Sequence, residues 1–576
     1  MLETRLYRAT SVFGLLAVVV IMFSIVSRPE PLAPEPSPEP FDGALAAGHA
    51  RALLEVAPER LPGSEDDAAA AGLVREGLEE LEGGTVVSEE FEGRFEGDAV
   101  ELENVILTLP GETDELVVIT APRDCAAGPC AASSAAATGI LLELARLVSE
   151  THHRRTVAFV STDGSAAGAA GAKQLAEYLE ERPVTGVVVL SQPGVLEPHG
   201  RVVVPWSSTA DATSAQLVLT AQEAVEAEFT DEPPLPHSTL SELVRLAIPA
   251  GLGEQSPLIG AGVDAVALSG TGPRPAEEGE DEEYSVVTIA AMGRTALSLL
   301  RTLDNGPAEL EHGPGARVPL SGMLVPGWAL GLLGMALLLP LMAAALQAGV
   351  QAVGRGEPLV AGLGWVASRA AGFVAALALA LLLALVGVIP APAFPFDPAR
   401  YPFDVGPITI LVVMVGGCVA PTVFLARRLA PPRSRMAAVA ALGCGYAATG
   451  LALWLVNPYL ALVAMPSLHL WLWATLPGLR GGLAMRIGLV GAGALLWVGV
   501  MAVLGEQLGT GVFGALWQVL LMYTGGHFGV FTVLPVALAA GCVVATLQIG
   551  WVEWTDMRAG KAQGSRGVRP IEPPSE

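Results

Sequence analysis

Seven apolar spans follow one another from Met323 onward, near residues 324–349, 370–389, 407–426, 436–455, 457–477, 486–504 and 528–550. Each is about one bilayer thickness long, so residues 320–552 are expected to form an all-α transmembrane bundle of about seven helices. An eighth span, Ala9 to Ser27, stands behind Arg5 and Arg8 and reads as an uncleaved anchor over residues 1–29. The chain is 52% hydrophobic and 16% charged, with a mean hydropathy of +0.52. Those values exclude a disordered chain and an ordinary soluble protein.

Charge divides the chain into regions. Glu30 to Gly315 holds 49 acids against 15 bases, whereas the remainder holds 9 acids and 17 bases. So acidic a middle has no basic stripe for phosphates, which argues against a nucleic-acid partner. Arg355 and Arg369 fall in one connection between spans, Arg427, Arg428, Arg433 and Arg435 in another, and Arg480 and Arg486 in a third. The alternate connections carry Asp397, Asp404 and Glu506, with Arg400 as their one base. Positive charge gathers on the cytoplasmic side, so both termini are expected inside, with a basic tail over 553–576. The acidic region is then extracytoplasmic. Phe513–Tyr523 stands apart as an interfacial or re-entrant piece.

Between the anchor and the bundle, residues 30–40 form a Pro-rich linker read as a stiff extended spacer. Residues 41–319 alternate helical patterns with apolar runs. The runs are Val105–Leu109, Leu116–Thr120, Val157–Ser161, Val187–Leu190, Val202–Val204 and Ala265–Leu268. Continuous Val, Ile and Leu without polar alternation suit strands covered on both faces. The expected fold is therefore an α/β ectodomain of three layers with a mainly parallel sheet. Cys125 and Cys130 are spaced to permit a disulfide, which an oxidising compartment favours.

Several segments of this region carry a resemblance. They include Arg60-Leu61-Pro62-Gly63-Ser64, Asn104-Val105-Ile106 leading to Leu109-Pro110-Gly111, and Leu116 to Asp124. Gly139 to Arg146, Arg155 to Val160 followed by Asp163-Gly164, and Ala261 to Val266 continue the series in order. Together they resemble the co-catalytic zinc aminopeptidases, the family-twenty-eight metallopeptidases. The resemblance implies two zinc ions held by His, Asp and Glu, with a further Glu as base. At the matching positions this chain has Pro122, Ala135, Ser165, Ala166 and Ser191. Only Asp124 remains, at a position that in the family orients a ligand. A metal-free domain is expected, with no catalytic residue and no cofactor. The layout of one anchor, one such domain and a multi-span bundle resembles the attachment subunit of glycosylphosphatidylinositol transamidase.

Without metals, the crevice beyond the carboxyl ends of the strands is the expected binding place. Its predicted lining is Arg123, Asp124, Ser134, Ser165, Ser191, Gln192, Glu254 and Gln255. These are mostly neutral hydrogen-bonding groups, with Arg123 either gripping a carboxylate or phosphate or bracing Asp124. The acidic run Glu277 to Glu283 reads as a solvated loop, with calcium binding as the rival reading. In the bundle, Asn457, His469 and His527 are polar at depth, and each is either functional or a bridge between helices. The expected function is a metal-free pseudo-peptidase that binds or scaffolds a peptide, protein or lipid-linked substrate, among membrane lipid and possible complex subunits. An active membrane-anchored zinc aminopeptidase and a transporter or lipid-handling protein are the alternatives.

Overall fold

The computed structural model describes residues 4–34, 40–199, 202–229, 238–274, 280–428, 431–432, 434–476 and 482–566. Pro36, Pro38, Pro275, Glu277, Glu278, Arg433, Arg480 and Arg569 lie outside the described residues. In chain order, α1 (Thr4–Ser24), β1 (Val26–Ser27), α2 (Gly43–Val56) and α3 (Glu65–Glu79) come first. Then follow β2 (Thr85–Phe95), β3 (Asp98–Leu109), β4 (Thr113–Pro122), α4 (Ala136–Ser149), β5 (Arg155–Thr162), α5 (Ala170–Leu179), β6 (Val184–Ser191) and β7 (Val203–Val204). The domain closes with α6 (Ala215–Glu228), α7 (Thr239–Ala247), α8 (Gln255–Gly260), β8 (Ala265–Ser269) and α9 (Val286–Asn305).

Side-chain caps set several of these helices: Asp42 accepts from Ala44 N and Leu45 N, and Ser64, Ser214, Ser238 and Ser285 each accept from a first-turn amide. The strands form one seven-stranded sheet in the order β2-β3-β5-β4-β6-β8-β7. The central strands β5, β4, β6 and β8 run parallel, and the pairings at both edges are antiparallel. Period-two alternation sends Val117 and Ile119 to one face, against α4 and α9, and Val118 and Val187 to the other, against α5 and α8. The three-layer expectation holds, and the expected parallel strands form the centre of a mixed sheet. The first residues of the expected spacer rest on α6: Leu32 N donates to Thr220 Oγ1 at 2.9 Å and Gln216 Nε2 to Glu30 O at 3.3 Å.

Strands β9 (Arg317–Leu320) and β10 (Met323–Pro326) pair with each other, and β10 pairs with β1. This small ribbon ties the exit of α1 to the start of the bundle. The bundle is α10 (Gly327–Gly354), α11 (Leu359–Leu385), α12 (Val405–Arg428), α13 (Arg435–Val456), α14 (Pro458–Ala474), α15 (Gly482–Gln507), α16 (Val512–Thr524) and α17 (Val530–Arg566). Among the described residues nine helices are long and apolar enough to cross a membrane. Two of them, α4 and α9, are instead the buried layer under the sheet. At 13 residues α16 spans only about 20 Å, too short to cross.

The α/β domain rests on one end of this bundle. Helix α7 buries Val244, Leu246 and Ala247 among Tyr459, Leu460 and Leu504. Gln507 Nε2 donates to Ser241 O at 2.8 Å, His527 Nε2 meets Pro249 O at 3.0 Å, and Asn457 Nδ2 donates to Leu246 O at 2.9 Å. The α13–α14, α15–α16 and α16–α17 turns therefore share the domain's end. Arg355, Arg427, Arg428 and Arg435 lie at the other ends of their helices.

Candidate functional site

Beyond the carboxyl ends of β4, β5, β6 and β8 lies a cavity of about 810 Å³. Its floor belongs to the α/β domain and includes Asp124, Ser134, Ser165, Ser191, Gln192 and Gln255. Its roof is the α11–α12 connection, which lines the cavity from Gly387 to Ala393 and again from Pro395 to Asp397. The crevice is thus roofed by the helical bundle of the same chain, an arrangement with no signal in the sequence. The roof is held on both sides. Lys173 Nζ donates to Phe394 O at 3.0 Å, Arg400 pairs with Glu96, and a Cβ at Gly168 would meet Ala393 at 2.7 Å. From below, Trp517 Nε1 and Gln518 Nε2 of α16 both donate to Tyr401 O at 3.1 Å.

Six of the eight predicted crevice residues line the cavity; Arg123 and Glu254 do not. Arg123 is 1% exposed and faces inward, with Nη2 2.9 Å from Asp163 Oδ2 and Nε 3.5 Å from Asp67 Oδ1. Its carboxylate partners are therefore Asp163 and Asp67, neither Asp124 nor a ligand. A buried guanidinium is costly unless it is paired or fully hydrogen-bonded, and the two aspartates meet that need for Arg123. Asp124 accepts from Ser165 N and Ala166 N, both at 2.8 Å, so both of its oxygens are engaged. Burial, then the nearby Asp163, raises its pKa. Beneath them Arg60 donates to Arg123 O, Ala57 O, Pro129 O and Ser134 Oγ at 2.7–2.9 Å. Sequence reading missed Arg60, Asp67 and Asp163 as partners, because ion pairs between distant loops have no local signature.

Glu254 sits under the floor, where Thr162 Oγ1 donates to its Oε2 at 2.6 Å. Burial pushes its carboxyl from the ordinary 4.5 to about 7. The folded chain then holds this proton between those pH values and the unfolded chain does not. This group's contribution to stability therefore falls as pH rises from about 4.5 through 7, by up to about 3 kcal/mol. Glu254→Gln keeps the acceptor for Thr162 and removes the ionisation. In melting of the full chain in detergent, the variant is expected to gain on the parent between pH 5 and pH 8. Parallel pH profiles would show that Glu254 does not titrate in this range.

The remaining walls are structural. Asp281 accepts from Ser133 N at 2.7 Å and Ser133 Oγ at 2.6 Å, fixing the π-helical turn Ala131–Ala135, so the described part of the acidic run is a brace. Cys125 and Cys130 are joined by a disulfide beside the cavity. In the bundle, His469 bridges Tyr7 Oη at 2.7 Å and Leu337 O at 3.0 Å, linking α14 to α1 and α10. Asn457 caps α14 and holds the end of α7. His527 stacks on Phe394 of the roof with centroids 4.0 Å apart. All three polar residues have bridging roles.

Residues 104–233 match the profile of Peptidase family M28, so the α/β region carries a domain of that family's type. No curated protein matches the chain. Among solved structures, a glutaminyl cyclase of an Acidobacteriales bacterium is similar at 15% identity, covering 47% of this chain and 97% of its own, with a TM-score of 0.38. A zinc aminopeptidase from Bacillus subtilis gives 12% identity, 47% and 97% coverage, and a TM-score of 0.38. A leucine aminopeptidase precursor from Bacteroides thetaiotaomicron gives 16% identity, 49% and 100% coverage, and a TM-score of 0.34.

The zinc pair implied by the resemblance does not fit the residues present. Zinc takes imidazole, thiolate or carboxylate donors. The cavity offers hydroxyls, amides and four carboxylates that are already engaged, Asp124 by two backbone amides, Asp281 by Ser133, Asp397 by Ala399 N and Glu96 by Arg400. Among the described residues no three of His, Cys, Asp or Glu gather in a way that would hold a metal ion.

Proposed function

We propose that this chain is a membrane-embedded pseudo-peptidase, which binds or scaffolds a peptide, protein or lipid-linked partner in its roofed crevice. The observation that supports this reading best is the cavity itself. It keeps the place where the strand-end loops converge, yet its floor is hydroxyl and amide where a hydrolase needs a free base and an activated water. Ser165, Ser191 and Gln192 offer hydrogen bonds to a polar ligand. A role like that of a transamidase attachment subunit, holding a substrate for a separate enzyme, suits a binding cavity without a catalytic pair. A photo-reactive side chain at position 192, used in cells, is expected to capture a discrete partner that the same group at position 350 on the bundle does not. Capture at 350 with none at 192 would move the function to the membrane spans.

The same reading places the α/β domain outside the cytoplasm, with the arginine-bearing ends of α10, α12 and α13 inside. Single cysteines at positions 355 and 397 test it. Position 397 is expected to react only with reagent added outside, and position 355 only after permeabilisation. The reverse pattern would invert the proposed orientation.

A further inference from the structure

Strand β2 is the first strand of the seven-stranded sheet, so one side of its backbone has no neighbouring strand. The β2–β3 hairpin turns on Glu96-Gly97, both at positive φ, with Phe95 opposite Asp98. In a two-residue hairpin the pair flanking the turn exchanges both backbone hydrogen bonds, and bonded pairs then alternate along the ladder. Phe95 and every second residue before it therefore bond to β3. The N–H and C=O groups of Arg94, Glu92, Glu90 and Ser88 point away from it. Among the described residues nothing else bonds to that outer row. An open row of this kind is a template for an extended chain.

The side chains of the same residues restrict which chain fits. Glu90 stands opposite Glu103 and Glu92 opposite Glu101, so these acids share one face of the hairpin. Like charges directly opposite each other destabilise a ladder. Among the described residues only Glu103 of this group is in an ion pair, with Arg75 of α3. Glu90, Glu92 and Glu101 are exposed. A second copy of this edge would set acids against acids, so the surface opposes self-pairing and suits a cationic strand.

We propose that the free edge of β2 docks an extended segment of a partner protein that carries Lys or Arg at alternate positions. Paired with β2, such a segment sends every second side chain to the acidic face. Its cations then lie beside Glu90 and Glu92 and relieve their repulsion from the acids across the hairpin. The main-chain bonds supply affinity, and the alternating charge fixes the register. Strand β2 ends at the cavity, whose wall includes Phe95, Glu96 and Gly97. A docked segment is thereby directed toward the crevice mouth. The site itself lies outside the crevice and goes beyond the function proposed for it.

The test uses the purified full chain in detergent and a fluorescent peptide of about ten residues, a long strand's length, alternating Lys with Thr. Anisotropy is expected to show binding of this peptide and none of its counterpart with Glu in place of Lys. Glu90→Gln with Glu92→Gln is expected to weaken the lysine peptide about tenfold, through the loss of two opposite-charge cross-strand pairs. N-methylation of alternate peptide amides removes the donors along one edge of the peptide and leaves the protein untouched. Methylation of one set is expected to abolish binding and of the other to spare it, because successive amides of a strand point to opposite edges. No binding of the lysine peptide, an affinity indifferent to the two glutamates, or equal effects of the two methylation patterns overturns the inference. Photo-capture at position 192, measured without the peptide, reports on the crevice separately, so either reading can fail alone.

Discussion

Arg155→Met is expected to lower the apparent melting temperature of the α/β domain by on the order of 10 °C. Arg155 is wholly buried at the start of β5. Its Nε lies 2.8 Å from Glu115 Oε2 on β4, Nη1 donates to Leu303 O at 2.6 Å and also to Asp304 O, and Nη2 donates to Gly306 O at 2.7 Å. One side chain therefore joins two central strands to the C-terminal end of α9, where helix carbonyls lack intrahelical donors. Methionine fills the volume but leaves those carbonyls and Glu115 without their donor. Removing one partner of such a buried network costs about 3–5 kcal/mol. A shift of only a degree or two would mean that water replaces the guanidinium, and that the helix end is less enclosed than the structure shows.

The second large effect is expected at the joint between domain and bundle. Leu246→Asp puts a carboxylate where α7 is buried among Leu460 and Leu504. An unpaired charge there costs several kcal/mol, enough to lift α7 from α14 and α15 while the sheet stays folded. The cavity then loses its roof, because roof and floor belong to the two parts being separated. A cysteine pair, Glu96→Cys with Arg400→Cys, reports on that closure, since these residues are in contact in the parent. Bifunctional crosslinking of the pair is expected to fall about tenfold when Leu246→Asp is added, with the melting of the α/β domain little changed. Undiminished crosslinking would show that roof and floor stay together without α7, through contacts such as Lys173 with Phe394.

What the sequence made legible was what periodicity encodes. The runs from Val105 to Leu268 became strands because they are covered on both faces, and the apolar spans became helices, although α11 begins at Leu359 where 370 was expected and α17 runs on to Arg566 where 550 was expected. Strand β2 escaped because Glu89, Glu90, Glu92 and Arg94 break up any apolar run in Thr85–Phe95, at the edge of the sheet. Helix α7 escaped because nine residues give too short a pattern, although their apolar face decides how the two parts dock. At the site, the positions of Pro122, Ser165, Ser191 and Gln192 were legible, since they follow strand ends, and they line one cavity. The direction of Arg123 was not legible, because Asp67 and Asp163 come from a helix and a loop far along the chain. Nor was the roof. Ala391-Pro392-Ala393-Phe394-Pro395-Phe396 lies between the apolar helices α11 and α12, and its aromatic residues alone hinted that it packs on something.

Binding in this crevice without metal-assisted hydrolysis is tested most directly by the metal content of the purified full chain. The chain would be extracted in mild detergent without chelator, dialysed against zinc-free buffer, and measured for zinc per chain and for aminopeptidase turnover. With hydroxyls, amides and an amide-bound Asp124 at the strand ends, it is expected to hold no stoichiometric zinc and to release no amino acid from peptide substrates. Two retained zinc ions per chain, with turnover abolished by a chelator and restored by zinc, would contradict the account.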